Sequence, residues 1–180
     1  YIIDYQRASD EKDIIEKLEK IDADEVLFHH RFPTSTPNVI EGAHPIKVSN
    51  NDFLFDYYVV HNGIISNDDD LKEIHNKAGF KYNTEMCKKL FTIDSTYNYG
   101  TQYNDSEALA IELALYLEGK KTTIDTIGSV ATIVLQVSKT DNHIIARYYG
   151  KNEGNPLKLE NQSDFLTLTS EGEGLNIEND

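Results

Sequence analysis

At 180 residues, with 39% hydrophobic and 27% charged residues, the chain has the size and balance of one globular domain with room for a substantial core. A formal net charge of -14 leaves no broad basic face, which excludes nucleic acid and anionic membrane as expected partners. No apolar run approaches the roughly 20 residues of a membrane span and no signal-peptide pattern opens the chain. The single cysteine, Cys87, rules out an internal disulfide framework, so the expected setting is cytoplasmic.

In chain order, Tyr1 to Tyr5 reads as a strand, and a start at Tyr1 rather than methionine marks a segment of something longer. Ser9 or Asp10 caps a predicted helix through Ile21, with Ile14, Ile15, Leu18 and Ile21 as its apolar stripe. Glu25 to His30 reads as a short strand that runs into a loop shaped by Pro33 and Pro37. A loop over Gly42-Ala43-His44-Pro45 precedes a strand from Phe53 to Val60, and Asn62-Gly63 is a turn signal at its end. Ser66 or Asn67 then caps a helix from about Asp68 to Lys77, closed by Gly79, with Asp68, Asp69 and Asp70 at the positive end of its dipole.

Farther along, Thr84 to Leu90 reads as a short helix and Thr92 to Tyr103 as a polar, Tyr-rich loop. Asn104-Asp105-Ser106-Glu107 has the pattern of a capping box opening the clearest helix, with Leu109, Leu113 and Leu117 inside and Gly119 ending it. Gly128 to Val137 and His143 to Tyr149 form a hairpin, Gly150 to Pro156 a loop, and Phe165 to Thr169 a last strand. Residues 1–170 form the expected domain, and 171–180 an acidic, flexible tail. Strands and helices do not alternate strictly, which points to antiparallel sheets covered by helices: an α+β fold.

Several residues carry chemistry only in combination. His29-x-Arg31-x-x-Thr34 puts a guanidinium and a hydroxyl in one loop, suited to gripping a carboxylate, although a surface Arg beside a turn has the same pattern. His61-Asn62-Gly63 brings an amide side chain and a flexible backbone N–H to one point, as an oxyanion hole requires. The capping box leaves Asp105 free to face outward and pair with an ammonium group. The six histidines lack zinc-site spacing, Asp68-Asp69-Asp70 lacks calcium-loop spacing, and no metal or cofactor is expected. Ser129 lacks a nucleophile elbow, and Cys87 reads as a small buried hydrophobe.

Taken in order, His29-x-Arg31-x-x-Thr34, His44-Pro45, Val60-His61-Asn62-Gly63-Ile64-Ile65-x-Asn67, Asp105-Ser106-Glu107, Gly128-Ser129-Val130-Ala131, Asn155-Pro156-Leu157 and Thr169-Ser170-Glu171 make one succession. It resembles the class II glutamine amidotransferase domain, over about Glu25 to Glu171. The resemblance implies an N-terminal nucleophile hydrolase fold, an αββα sandwich of two stacked antiparallel sheets between helices. It implies glutamine as substrate, Arg31 clamping its α-carboxylate with Thr34 shaping the same loop, and Asp105 taking its α-ammonium. Asn62 and Gly63 would hold the oxyanion, and His44 and His61 would support the pocket.

That family uses a cysteine at its mature N-terminus, and its Arg-Gly-x-Asp-x-x-Gly segment is absent here. The chain opens at Tyr1, and an internal Cys87 offers no free α-amine. The expected activity is therefore glutamine hydrolysis to glutamate and ammonia by a cysteine supplied upstream, with this segment inactive alone. An acceptor domain or larger assembly would use the ammonia. Ser35-Thr36 lacks the glycine often found after the Thr, and Phe80 to Tyr103 is a longer link than usual. The alternatives are an inactive binding or structural module, and an N-terminal nucleophile hydrolase with a different amide substrate.

Overall fold

A computed structural model describes residues 11–20, 22–30, 39–91, 97–161, 164, 166–170 and 175–176. The elements in order are α1 (Glu11–Leu18), a 3₁₀ turn (Ile40–Gly42), β1 (Ile46–Val48), β2 (Phe55–Ile65), α2 (Asp68–Lys77), β3 (Met86–Phe91) and β4 (Tyr97–Gln102). They continue with α3 (Asp105–Leu117), β5 (Gly128–Ser138), β6 (Ile144–Lys151), β7 (Lys158–Asn161), β8 (Leu166–Thr169) and β9 (Leu175–Asn176). The main sheet is antiparallel throughout, in the order β1-β2-β5-β6. A hairpin, β3-β4, and a smaller sheet, β8-β7-β9, complete an α+β fold.

The long strand β2 is rich in β-branched and aromatic residues, which suit a pleated surface packed on both faces. Its alternation divides the core. Tyr57 and Val59 face α3 and pack with Ala110, Ile111 and Ala114, together with Ile46, Val48 and Val134. Small side chains at Ala108, Ala110 and Ala114, all fully buried, allow α3 to lie close to the sheet. Tyr58 points to the opposite face, where it packs with Leu135 and Val137 under Leu27 and Ile144. Ile65 returns to the helical face and meets Leu71, Ala108 and Leu109, joining α2 to the same core. Each aliphatic side chain buried fully here contributes about 1.5–3 kcal/mol.

Both long helices stop by the same device. Gly79 (φ +89°) and Gly119 (φ +68°) take the left-handed conformation just past α2 and α3. The N–H of Phe80 then reaches His75 O at 2.9 Å, and that of Lys120 reaches Leu115 O at 2.9 Å. These bonds satisfy carbonyls that the helix ends leave open.

Several expectations need correction. The chain does not turn at Asn62-Gly63: β2 continues through both to Ile65, because β5 pairs with it along its whole length. Met86 to Phe91 is a strand rather than a helix, and Tyr97 to Gln102 lies in a strand rather than a loop; the two pair residue for residue. Mutual pairing overrides the local preference of Met-Cys-Lys-Lys-Leu for helix. Glu25 to His30 forms no strand and is held by side chains instead. Leu113 and Leu117 are only partly buried, and Ile15 is 47% exposed rather than part of an inward stripe. Leu175–Asn176, in the expected tail, pair with β7 as β9. The readings on Tyr1–Tyr5, Ser9, Asp10 and Ser35-Thr36 lie outside the described residues.

Candidate functional site

β2 carries His61, Asn62 and Gly63 beyond the point where β1 stops. β1 pairs with Tyr57 to Val59 only, and Pro45, just before it, has no N–H to extend the ladder. On the other side, Val130 stands opposite Gly63. Val130 donates its N–H to Asn152 Oδ1 (2.7 Å) and accepts from Asn152 N (2.9 Å), so both groups point toward β6. In an antiparallel pair the partner of such a residue also turns its backbone groups outward. Gly63 therefore aims its N–H away from β5, off the edge of β2 that no strand covers among the described residues. Ile65, two residues on, points the same way, and its N–H donates to Asp105 Oδ2 at 2.7 Å.

The conformation of Gly63 is dictated by this crossing. Its φ is +149°, and a Cβ there would stand 1.9 Å from Ser129 O and 2.7 Å from His61 Nε2. Gly128 on β5 mirrors it, at φ +148° with Ile64 O 2.0 Å from where its Cβ would be. Two glycines let the strands approach where β2 passes Ser129. Asn62, opposite Ala131, lies just before this crossing, with its side chain exposed on the face away from α3.

The first turn of α3 joins the segments around this edge. Asn104 accepts from Ser106 N (3.0 Å) as the helix cap, and its Nδ2 donates to Gly42 O (2.8 Å). Asp105 holds Ile65. Ser106 Oγ meets His61 Nδ1 at 2.8 Å. Glu107 accepts from Asn83 N (2.7 Å), Thr84 N (2.9 Å) and Thr84 Oγ1 (2.6 Å). The expected capping box is thus only half formed: Glu107 serves the root of the β3-β4 hairpin, and Thr84 Oγ1 takes the Asn104 N–H instead (2.9 Å). Asn67 departs similarly. It stands at the start of α2, but its amide bonds Asp125 O (2.9 Å) and Ile127 N (2.8 Å), pinning the approach to β5.

The Gly42–Pro45 loop brings His44, which is buried against His29 with ring centroids 4.1 Å apart. The segment ending at His30 crosses the second face of the sheet. Glu25 forms a paired salt bridge with Arg147 of β6, and Leu27 covers Tyr58 and Leu135. Of the expected site residues, the structure thus gathers His61, Gly63 and Asp105 at one strand end. It ties the loop of His44 to the same helix turn and leaves Asn62 exposed beside them. Arg31 and Thr34 lie outside the described residues; the described stretch stops at His30, next to Arg31. Asp105 does not face freely outward as expected. One oxygen is committed to Ile65, and Oδ1 takes no hydrogen bond from the described residues. A carboxylate in this position also benefits from the helix N-terminus.

His61 is buried, and burial pulls its pKa down more than the Ser129 carbonyl and the Asp105 charge raise it. A carbonyl only accepts, so Nε2 carries the proton given to Ser129 O (3.1 Å), and neutral Nδ1 accepts from the Ser106 hydroxyl. The ring thus bridges α3 and β5.

A second buried cluster escaped the sequence reading. Glu112 is fully buried in α3 and accepts from His75 Nε2 (2.8 Å), Lys121 Nζ (2.6 Å) and Asp125 N (2.9 Å). His75 Nδ1 in turn takes the Tyr82 hydroxyl at 2.8 Å. Burial pushes the Glu112 carboxyl up, but Lys121, the Asp125 N–H and His75 together bring it below the usual range. Burial pulls His75 down despite Glu112. The available signal was a lone acid inside the apolar run Leu109-Ala110-Ile111-Glu112-Leu113-Ala114.

These two histidines set a pH dependence. Both are held neutral in the fold and titrate near 6.5 when unfolded, so below that pH the unfolded chain binds more protons. Stability is full above pH 6.5 and falls as pH drops, by up to about 1.4 kcal/mol per unit for each ring. Urea unfolding at pH 7.5, 6.5 and 5.5 checks this, and a midpoint unchanged over that range contradicts it.

Among the described residues, no group of three or more His, Cys, Asp or Glu is arranged to hold a metal ion, and no helix is long and apolar enough to cross a membrane. No protein-family model matches the chain, and no curated protein matches it.

Proposed function

We propose that this chain is the glutaminase part of a class II glutamine amidotransferase, with an N-terminal cysteine upstream of Tyr1 as nucleophile. The observation that carries the reading is the edge of β2. Gly63 aims a backbone N–H off the sheet, Asn62 offers an exposed amide beside it, and Asp105 is fastened to the same strand two residues on. Donors at such an edge suit a developing oxyanion, and a carboxylate nearby suits an ammonium. Arg31, by the resemblance, would take the α-carboxylate at the other end of the substrate.

In this mechanism the cysteine thiol gives its proton to its own α-amine as the sulfur adds to the amide carbon of glutamine, and the carbonyl oxygen becomes an oxyanion held by Asn62 Nδ2 and Gly63 N–H. The C–N bond then breaks, ammonia leaves with a proton drawn from the cysteine's α-amine, and a thioester remains. Water cleaves the thioester to glutamate and the free thiol. An N-terminal nucleophile hydrolase sandwich is compatible with the sheet, whose helical face is covered by α2 and α3 and whose other face is also apolar, with Tyr58, Leu135 and Val137 under Leu27 and Ile144.

The test is glutamine hydrolysis by the full-length natural chain and two variants. Asn62→Ala removes one oxyanion donor and is expected to lower kcat about 10²–10³-fold with KM little changed. Asp105→Ala removes the ammonium partner and is expected to raise KM at least about tenfold. Glutamine binding without hydrolysis by the natural chain would make it a binding module instead.

A further inference from the structure

The oxyanion reading leaves one question: what fixes the Gly63 N–H in direction, given that glycine is the residue most free to move? Three contacts fix the backbone around Gly63. His61 Nε2 donates to Ser129 O, the same oxygen that stands 1.9 Å from the place of a Gly63 Cβ. Ser129 Oγ accepts from Ile64 N at 3.2 Å, on the residue just after Gly63. The His61 ring is locked from behind by Ser106 Oγ at 2.8 Å. Ser106 is 4% exposed and His61 3%, so water does not compete for the bond between them. The peptide after Gly63 is therefore held by the Ser129 hydroxyl on β5, and the carbonyl oxygen that stands against Gly63 is held, through the His61 ring, by the Ser106 hydroxyl on α3.

We propose that Ser106 and Ser129 are positioning residues for the oxyanion donors, Ser106 acting through the His61 ring and Ser129 through the backbone of Ile64. The proposal rests on the glutaminase reading. It assigns a role to two serines that a hydrolase search passes over, since neither sits in a nucleophile motif. The tautomer is part of the device. With Nε2–H given to Ser129, Nδ1 is an acceptor and only a donor hydroxyl such as that of Ser106 completes it. Alanine at 106 leaves that nitrogen buried and unsatisfied, so the ring shifts toward a new partner and releases Ser129 O from its place against Gly63.

Three variants of the full-length chain test this, each turnover rate being divided by the number of sites that an electrophilic glutamine analogue labels. Ser106→Ala is expected to lower kcat about tenfold, short of the roughly 10²–10³-fold loss of a whole donor, with KM within about twofold. Ser129→Ala is expected to act in the same direction. Ser138→Ala, at the far end of β5, is expected to leave kcat unchanged. A merely structural serine would change the number of labelled sites but not the rate at each.

A second readout needs no turnover: the Gly63 amide resonance and the His61 ring nitrogens by NMR. The expected wild-type ring is protonated at Nε2 and bare at Nδ1, and Ser106→Ala moves both the ring signals and the Gly63 amide. Unchanged rates per site in both Ser106→Ala and Ser129→Ala overturn the proposal, as does a Gly63 amide that stays in place. If the wild type does not hydrolyse glutamine, the glutaminase reading fails by itself and the resonances decide whether the serines position Gly63.

Discussion

Gly63→Ala is expected to destabilise the chain by about 3–5 kcal/mol, enough to unfold a domain of ordinary stability. Two costs combine. At φ +149° any Cβ is strained, and the added carbon would lie 1.9 Å from a backbone oxygen, Ser129 O, that has no freedom to swing aside. Relief would require β2 and β5 to part, which breaks the His61–Ser129 and Ile64–Ser129 bonds. Gly79→Ala separates the two costs. Its φ is +89° and nothing lies within 4 Å of the new Cβ, so only the backbone penalty of about 1 kcal/mol remains. Denaturant unfolding of both variants is the check. Equal losses at the two positions would contradict the close crossing at Gly63.

Glu112→Ala is the second large effect, expected at about 3–5 kcal/mol. The carboxylate is fully buried and serves three donors at once: His75, Lys121 and the Asp125 N–H. Removing it leaves an N–H of His75 and that of Asp125 without an acceptor, while Lys121 loses the group that pulls it inward. Because His75 also positions Tyr82, the loss spreads to the packing between α2 and the segment before β3. Glu73→Ala, an exposed acid on α2 whose Lys77 partner is 3.7 Å away, is expected to change stability by less than about 0.5 kcal/mol. Comparable losses for the two would show that Glu112 is not the centre of its cluster.

How far the sequence reveals the fold depends on whether local chemistry or distant pairing decides each element. α2 and α3 were legible almost to the residue, because Asp68-Asp69-Asp70, Asn104, Gly79 and Gly119 mark ends by local chemistry. The β5-β6 hairpin was equally plain from its alternation and the Lys139–Asn142 turn. The β3-β4 hairpin was not, since Met86–Phe91 has no periodicity that excludes a helix and acquires its state from a strand eleven residues away. Asn62-Gly63 misled for a similar reason. The pair that usually makes a turn lies inside a strand here, and the glycine serves a close approach that becomes visible only with Ser129 in register.

The site was legible as residues but not as an arrangement. His61, Gly63 and Asp105 stand out in the sequence by their types and order. That four neighbouring side chains at the start of α3 reach three segments, the Gly42 loop, β2 and the Asn83-Thr84 stretch, could not be read from a capping box. Asn104 and Glu107 looked fully explained by helix chemistry, yet both also hold other parts of the chain. Glu112, whose partners are 37 residues before it and 9 after it, had only its isolation in an apolar helix to mark it.

The most direct test of the glutaminase account is mass spectrometry of the full-length natural chain after exposure to an electrophilic glutamine analogue. The account predicts a single adduct on a cysteine at the mature N-terminus, suppressed by excess glutamine and lost in Asp105→Ala. No adduct, or one confined to Cys87 and indifferent to glutamine, would contradict it.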